Sequence, residues 1–76
     1  MTKTAVIWTQ KGCSYCESAK VLLNMRGWTV EEKKIGDNVT KAEFSEANPD
    51  KTTVPQIYLN GNHIPNGYVG LRDLLG

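Results

Sequence analysis

The sequence predicts a small α/β domain, a four-stranded mixed sheet with three helices in the order β-α-β-α-β-β-α. Three observations carry this. An apolar run from Thr4 to Thr9 feeds a helical pattern and then a second strand-like run, which together make a βαβ unit. Asn60-Gly61 between two short apolar runs marks a two-residue hairpin. The 76 residues, 39% hydrophobic and 22% charged, are enough for one ordered domain over 1–76 and leave no room for a second. A chain this short buries only about 60% of the surface its unfolded form exposes, so the expected core is compact and its stability marginal.

Each element follows from local chemistry. Thr4 to Thr9 (TAVIWT) is β-branched and apolar without strict alternation, as a buried strand should be. Gln10-Lys11-Gly12 breaks it. From about Ser14 to Arg26 the apolar residues Cys16, Ala19, Leu22, Leu23 and Met25 recur at helical spacing. Gly27 stands where a left-handed cap belongs, and Trp28 is placed to pack back on Leu23, the pattern of a Schellman stop. Thr29 to Ile35 (TVEEKKI) reads as an edge strand because of its charges, with Glu31, Glu32, Lys33 and Lys34 forming a solvated face.

After the turn Gly36-Asp37-Asn38, Thr40 and Glu43 make a capping box, with Val39 and Phe44 at the staple positions. A short helix is predicted from about Lys41 to Ala47, ended by Asn48-Pro49-Asp50. Gln56 to Leu59 and Asn62 to Pro65 flank the hairpin turn, and Val69 to Leu75 gives a brief terminal helix after Asn66-Gly67. A right-handed βαβ crossover with an added antiparallel hairpin is a thioredoxin-like layout at minimum size. Trp8 and Phe44 read as core, Trp28 as a helix-cap contact, and His63 as a half-exposed strand residue.

Charge and length narrow the function. Nine basic and eight acidic residues give a net charge of +1, which is no footprint for a nucleic-acid binder. The longest apolar run near the N-terminus, Ala5-Val6-Ile7-Trp8, falls far short of a signal peptide or membrane span. The expectation is a cytoplasmic monomer that does not engage membranes.

The two cysteines, Cys13 and Cys16, enclose Ser14-Tyr15. A bridge between them closes almost no loop and adds little stability, so the pair is there for chemistry. Residues i and i+3 of a helix have Cα atoms about 5 Å apart, within disulfide range. At the helix start, unpaired N–H groups and the positive dipole end favour a Cys13 thiolate, lowering such pKa values from about 8.5 to roughly 3.5–7.5. Cys16, a turn inside, is the shielded, resolving thiol. Lys11, beside Cys13, is either a thiolate partner or plainly solvated. A closed zinc site needs about four ligands. The only further strong donor is His63, out in the hairpin, so no metal ligand is assigned.

With these residues in view, the chain resembles a glutaredoxin along nearly its whole length. Cys13-Ser14-Tyr15-Cys16, Thr53-Val54-Pro55-Gln56-Ile57-Tyr58 and Asn60-Gly61 through Ile64-Pro65-Asn66-Gly67 carry the resemblance. It implies a cis Val54-Pro55 bond facing the cysteines, and a Val54 backbone edge that pairs with a glutathione peptide. Tyr15 would line the groove, Lys51 would meet a substrate carboxylate, and the backbone of Gly67, Tyr68 and Val69 would hold the other. Thr53 and Pro55 belong to the same implied site.

Five positions depart from the family pattern. Ser14 replaces the usual proline, Gln10 the usual basic residue, and Asn66 the first glycine of a pair. Val69 and Gly70 stand where acidic or hydroxyl residues often follow. The implied activity is reduction of protein disulfides or glutathione mixed disulfides, with glutathione as cosubstrate and no bound cofactor. Two alternatives stay open. One is an electron donor to ribonucleotide reductase recharged by thioredoxin reductase; the other is a glutaredoxin holding a [2Fe–2S] cluster between two subunits.

Overall fold

The apolar first strand is flanked on both sides in the sheet and covered on both faces. In the computed structural model, which describes residues 3–76, the elements are β1 (Thr4–Gln10), α1 (Ser14–Met25), β2 (Thr29–Ile35), α2 (Lys41–Ala47), β3 (Gln56–Leu59), β4 (Asn62–Ile64) and α3 (Gly67–Leu75). The first two positions of the expected 1–76 domain lie outside the described residues. The sheet order is β2-β1-β3-β4: β2 is parallel to β1, β3 is antiparallel to β1, and β4 is antiparallel to β3. The charged β2 is an edge, as its composition implied.

The pleat sorts side chains between two layers. Ala5 and Ile7 of β1 and Ile57 and Leu59 of β3 pack with Ala19 and Leu23 of α1 and Leu71 of α3 into one core. On the opposite face Trp8 meets Phe44 of α2 edge-on, at 5.8 Å between ring centroids. Lys33, paired with Trp8 across the β1–β2 ladder, lies 5.0 Å over the same ring. Asn48, buried at the end of α2, donates to the Phe44 carbonyl and accepts from the Tyr58 hydroxyl on β3, so α2 is tied to the sheet by a polar link as well.

The caps form as the sequence implied. The Trp28 amide donates to the Leu23 carbonyl and the Gly27 amide to that of Asn24, with Gly27 at φ 82°, a Schellman motif. Thr40 and Glu43 close the capping box in both directions. Asn60 and Gly61 both have positive φ, as a type I′ turn requires.

The ends differ slightly from expectation. β1 runs one residue further, to Gln10, which pairs with Ile35. α1 ends at Met25 with Arg26 as its cap, and β4 stops at Ile64. α3 begins at Gly67, two residues before the expected Val69. The turn is spent on Asn66 itself, which is left-handed at φ 67° and whose carbonyl already accepts from the Gly70 amide.

Candidate active site

A strand that delivers its chain to the start of a helix leaves unpaired amides at the junction. Gly12, at φ 80°, makes the turn out of β1, and Cys13 is the extended N-cap of α1. Its sulfur accepts from the Cys16 amide at 3.1 Å, the place usually filled by a capping oxygen. Cys13 and Cys16 are joined in a disulfide with Cα atoms 5.3 Å apart. Cys13 is half-buried and Cys16 is 1% exposed, so attack from outside falls on the Cys13 side.

Beside the pair opens a groove of about 580 Å³, within the size range of small-ligand sites. Tyr15 lines one wall, its ring 6.0 Å from that of Tyr68 on α3. Lys51, Thr53, Val54 and Pro55 line another, with the Val54-Pro55 bond cis. The first turn of α3, Gly67 to Val69, completes it. Gly67 is held against Pro55: a Cβ there would lie 3.3 Å from the Pro55 carbonyl oxygen, and its φ is 54°. Lys11 is exposed at the turn and lies outside this groove.

Two further side chains join the groove that the sequence reading assigned elsewhere or passed over. Gln56 is buried, donates to the Thr53 carbonyl at 2.8 Å and meets His63 Nε2 at 2.8 Å. His63 is half-buried, as expected, yet both residues line the groove. The signal was present in the period of two: Gln56 and Tyr58 share a face of β3, and the hairpin register sets His63 opposite Tyr58.

Gly70 explains one departure from the family pattern. A Cβ at this position would fall 1.8 Å from the Pro65 carbonyl oxygen, so the chain crossing leaves room for glycine alone. Val69, the other departure, is an exposed apolar residue in the groove wall.

The expected solvated face on β2 needs correction at Glu32. The Thr9 hydroxyl, 1% exposed at the end of β1, donates to the Glu32 carboxylate at 2.7 Å, and Lys20 on α1 pairs with it at 3.0 Å. The pleat turns Glu32 towards α1, while Lys33 faces α2. The Thr9 hydrogen bond, then Lys20, hold the Glu32 carboxyl below its ordinary value. Lys20 is raised, chiefly by its hydrogen bond to Glu17 and further by Glu32.

Comparison with known proteins agrees with this geometry. The glutaredoxin family model matches residues 5–64. Glutaredoxin 3 of Escherichia coli K12 is 40% identical over 58 residues, covering 76% of this chain and 70% of that protein. Glutaredoxin 1 of Rickettsia bellii is 37% identical over 73 residues, covering 91% and 74%. The crystal structure of glutaredoxin 1 from Francisella tularensis complexed with cacodylate aligns with a TM-score of 0.77 at 29% identity, covering 95% of this chain and 91% of that one. The solution structure of oxidised Escherichia coli glutaredoxin aligns at 0.66, also 29% identical, covering 93% and 91%. Sequence and architecture thus lead to one family over most of the chain. This protein belongs to the glutaredoxins, which are thiol–disulfide oxidoreductases.

Proposed function

We propose that this chain is a glutathione-linked oxidoreductase that reduces protein disulfides and glutathione mixed disulfides through Cys13 and Cys16. The supporting observation is the groove beside the helix-start pair, which brings Lys51, the Val54 backbone and the N-terminal turn of α3 together. A lysine and a helix N-terminus suit the two carboxylates of glutathione. The Val54 edge suits its peptide backbone.

In the reduced enzyme the Cys13 thiolate attacks a substrate sulfur. The substrate S–S bond breaks, a mixed disulfide with Cys13 forms, and the departing thiolate takes up a proton. The Cys16 thiolate then attacks the Cys13 sulfur and frees the second thiol, giving the Cys13–Cys16 disulfide. Two glutathione thiols return the pair to the reduced state and leave as glutathione disulfide. Alternatively, glutathione itself resolves the mixed disulfide. In the disulfide the Cys16 amide donates to the Cys13 sulfur at 3.1 Å, and the same amide is placed to stabilise the thiolate once the pair is reduced. The proposed setting is a reducing cytoplasm, where such pairs cycle. Among the described residues no helix is long and apolar enough to cross a membrane.

Val69 and Gly70 favour a second reading. They give the γ-glutamyl end of glutathione no acidic or hydroxyl side chain, so recharging by thioredoxin reductase, with ribonucleotide reductase as acceptor, is the alternative. A [2Fe–2S] cluster held between two subunits through Cys13 and glutathione is the further alternative: brown colour and charge-transfer absorption after anaerobic reconstitution would support it, and a colourless monomer would count against it. Turnover of a small glutathione mixed disulfide, coupled in turn to glutathione plus glutathione reductase and to thioredoxin reductase, decides between the two readings. Robust turnover with glutathione supports the first, and turnover with thioredoxin reductase alone replaces it.

A further inference from the structure

A second hollow, of about 360 Å³, lies outside the groove, between α1 and α3. Val21, Leu22 and Met25 form its α1 wall, and Tyr68 its α3 wall. Val21 is 57% exposed and Met25 71%, so the α1 wall of the hollow presents apolar surface to solvent. Tyr15, Leu22 and Met25, with Ser18 between the first two, recur at helical spacing, so a stripe that is apolar but for Ser18 begins at Tyr15 and runs away from the cysteines. Tyr68 lines both the groove and this hollow. The one carboxylate in the lining, Glu17, is engaged by Lys20 at 2.6 Å.

We infer that this hollow docks the apolar residues flanking the reactive cysteine of a polypeptide substrate. The inference rests on Cys13 being the point of exchange, as the proposed function holds. A substrate sulfur must reach Cys13, at the head of the stripe, so the polypeptide attached to it is carried past Tyr15. From Tyr15 to Met25 the helix rises about 15 Å, the span of about four or five extended residues. Glutathione is too short to fill the groove and this stripe together, so the hollow distinguishes protein substrates from small ones. Two exposed apolar side chains, Val21 and Met25, fall well short of the ~800 Å² per partner of a stable interface. That suits a brief encounter with an extended segment better than a lasting dimer.

Two peptides with the same polar ends test this, Val-Leu-Val-Leu-Cys-Leu-Val-Leu-Val and Ser-Ser-Ser-Ser-Cys-Ser-Ser-Ser-Ser, long enough on each side of the cysteine to follow the stripe, each as a mixed disulfide with thionitrobenzoate. The reduced protein attacks the peptide sulfur and expels thionitrobenzoate, which is followed by absorbance in a single turnover without glutathione. The unaltered protein should react about tenfold faster with the apolar peptide. Val21→Gln with Met25→Gln should abolish that preference and leave the serine peptide's rate unchanged. Leu74→Gln removes a similarly exposed apolar residue outside the hollow and should preserve it. Equal rates for the two peptides would overturn the inference. So would a preference that survives the double change or is lost in Leu74→Gln, or a dimer in the unaltered protein that the double change dissociates. Because no glutathione enters the assay, failure of glutathione-coupled turnover overturns only the proposed cosubstrate.

Discussion

Replacing Gly70 by alanine opposes two effects whose sizes decide the sign. In a helix interior alanine is better than glycine by about 0.8–1 kcal/mol, so propensity alone predicts a more stable protein. The structure predicts the reverse. The new Cβ would sit 1.8 Å from the Pro65 carbonyl oxygen, and ordinary contact begins at 3.4 Å, so the backbones must separate by 3.4 less 1.8, or 1.6 Å. Both parts are main chain, and no rotamer change relieves the overlap. Overpacking of this sort costs about 1–3 kcal/mol, and a backbone clash belongs at the upper end. The net loss is about 2 kcal/mol after the propensity gain. With a urea slope of about 1 kcal/mol/M for a small domain, the unfolding midpoint should fall by about 2 M. The same displacement moves Gly67 to Val69 in the groove wall, so KM for a glutathione mixed disulfide should rise more than kcat falls. An unchanged or higher midpoint for Gly70→Ala would refute the argument, because propensity would then outweigh the crossing at Pro65.

Glu32→Gln should lower stability by about 1 kcal/mol at neutral pH, since Thr9 and Lys20 lose a charged partner that is partly solvent-screened. The Glu32 pKa is depressed in the folded state, so its contribution is present above the ordinary glutamate value and is lost as pH falls through the lowered one. Urea midpoints for the two proteins should therefore differ at pH 7 and converge in acid; a gap that widens in acid would contradict the assignment. Tyr58→Phe leaves the buried Asn48 side-chain oxygen without its donor, and a loss of about 1–3 kcal/mol by denaturant titration is expected. Cys13→Ser should abolish exchange with every disulfide substrate. Cys16→Ser should keep glutathione-dependent turnover of a small mixed disulfide, while trapping protein substrates as mixed disulfides visible on a non-reducing gel.

Much of this protein was legible because the determining signals are local. Gly27 and Trp28 fix the end of α1, Thr40 and Glu43 the start of α2, and Asn60-Gly61 the hairpin. Each depends on residues within one turn of the chain. Cys13 at a strand–helix junction is equally local, which is why the exchange chemistry could be read from spacing and context. What the sequence did not make plain depends on how elements meet in space. Glu32 reads as solvated until the sheet register and the pitch of α1 bring Thr9 and Lys20 to it. His63 and Gln56 become neighbours in the groove only through the hairpin register. Gly70 is indistinguishable from a weak helix residue until Pro65 crosses it. Val21 and Met25 look like ordinary helix positions until α3 packs without covering them. The sequence by itself determined the elements, their caps and the reactive pair, because short-range sterics and hydrogen bonds set these. Only the tertiary structure decided which side chains share the groove, which carboxylate is half-buried and paired, and where glycine is compulsory, because those depend on distances that close only when the layers pack.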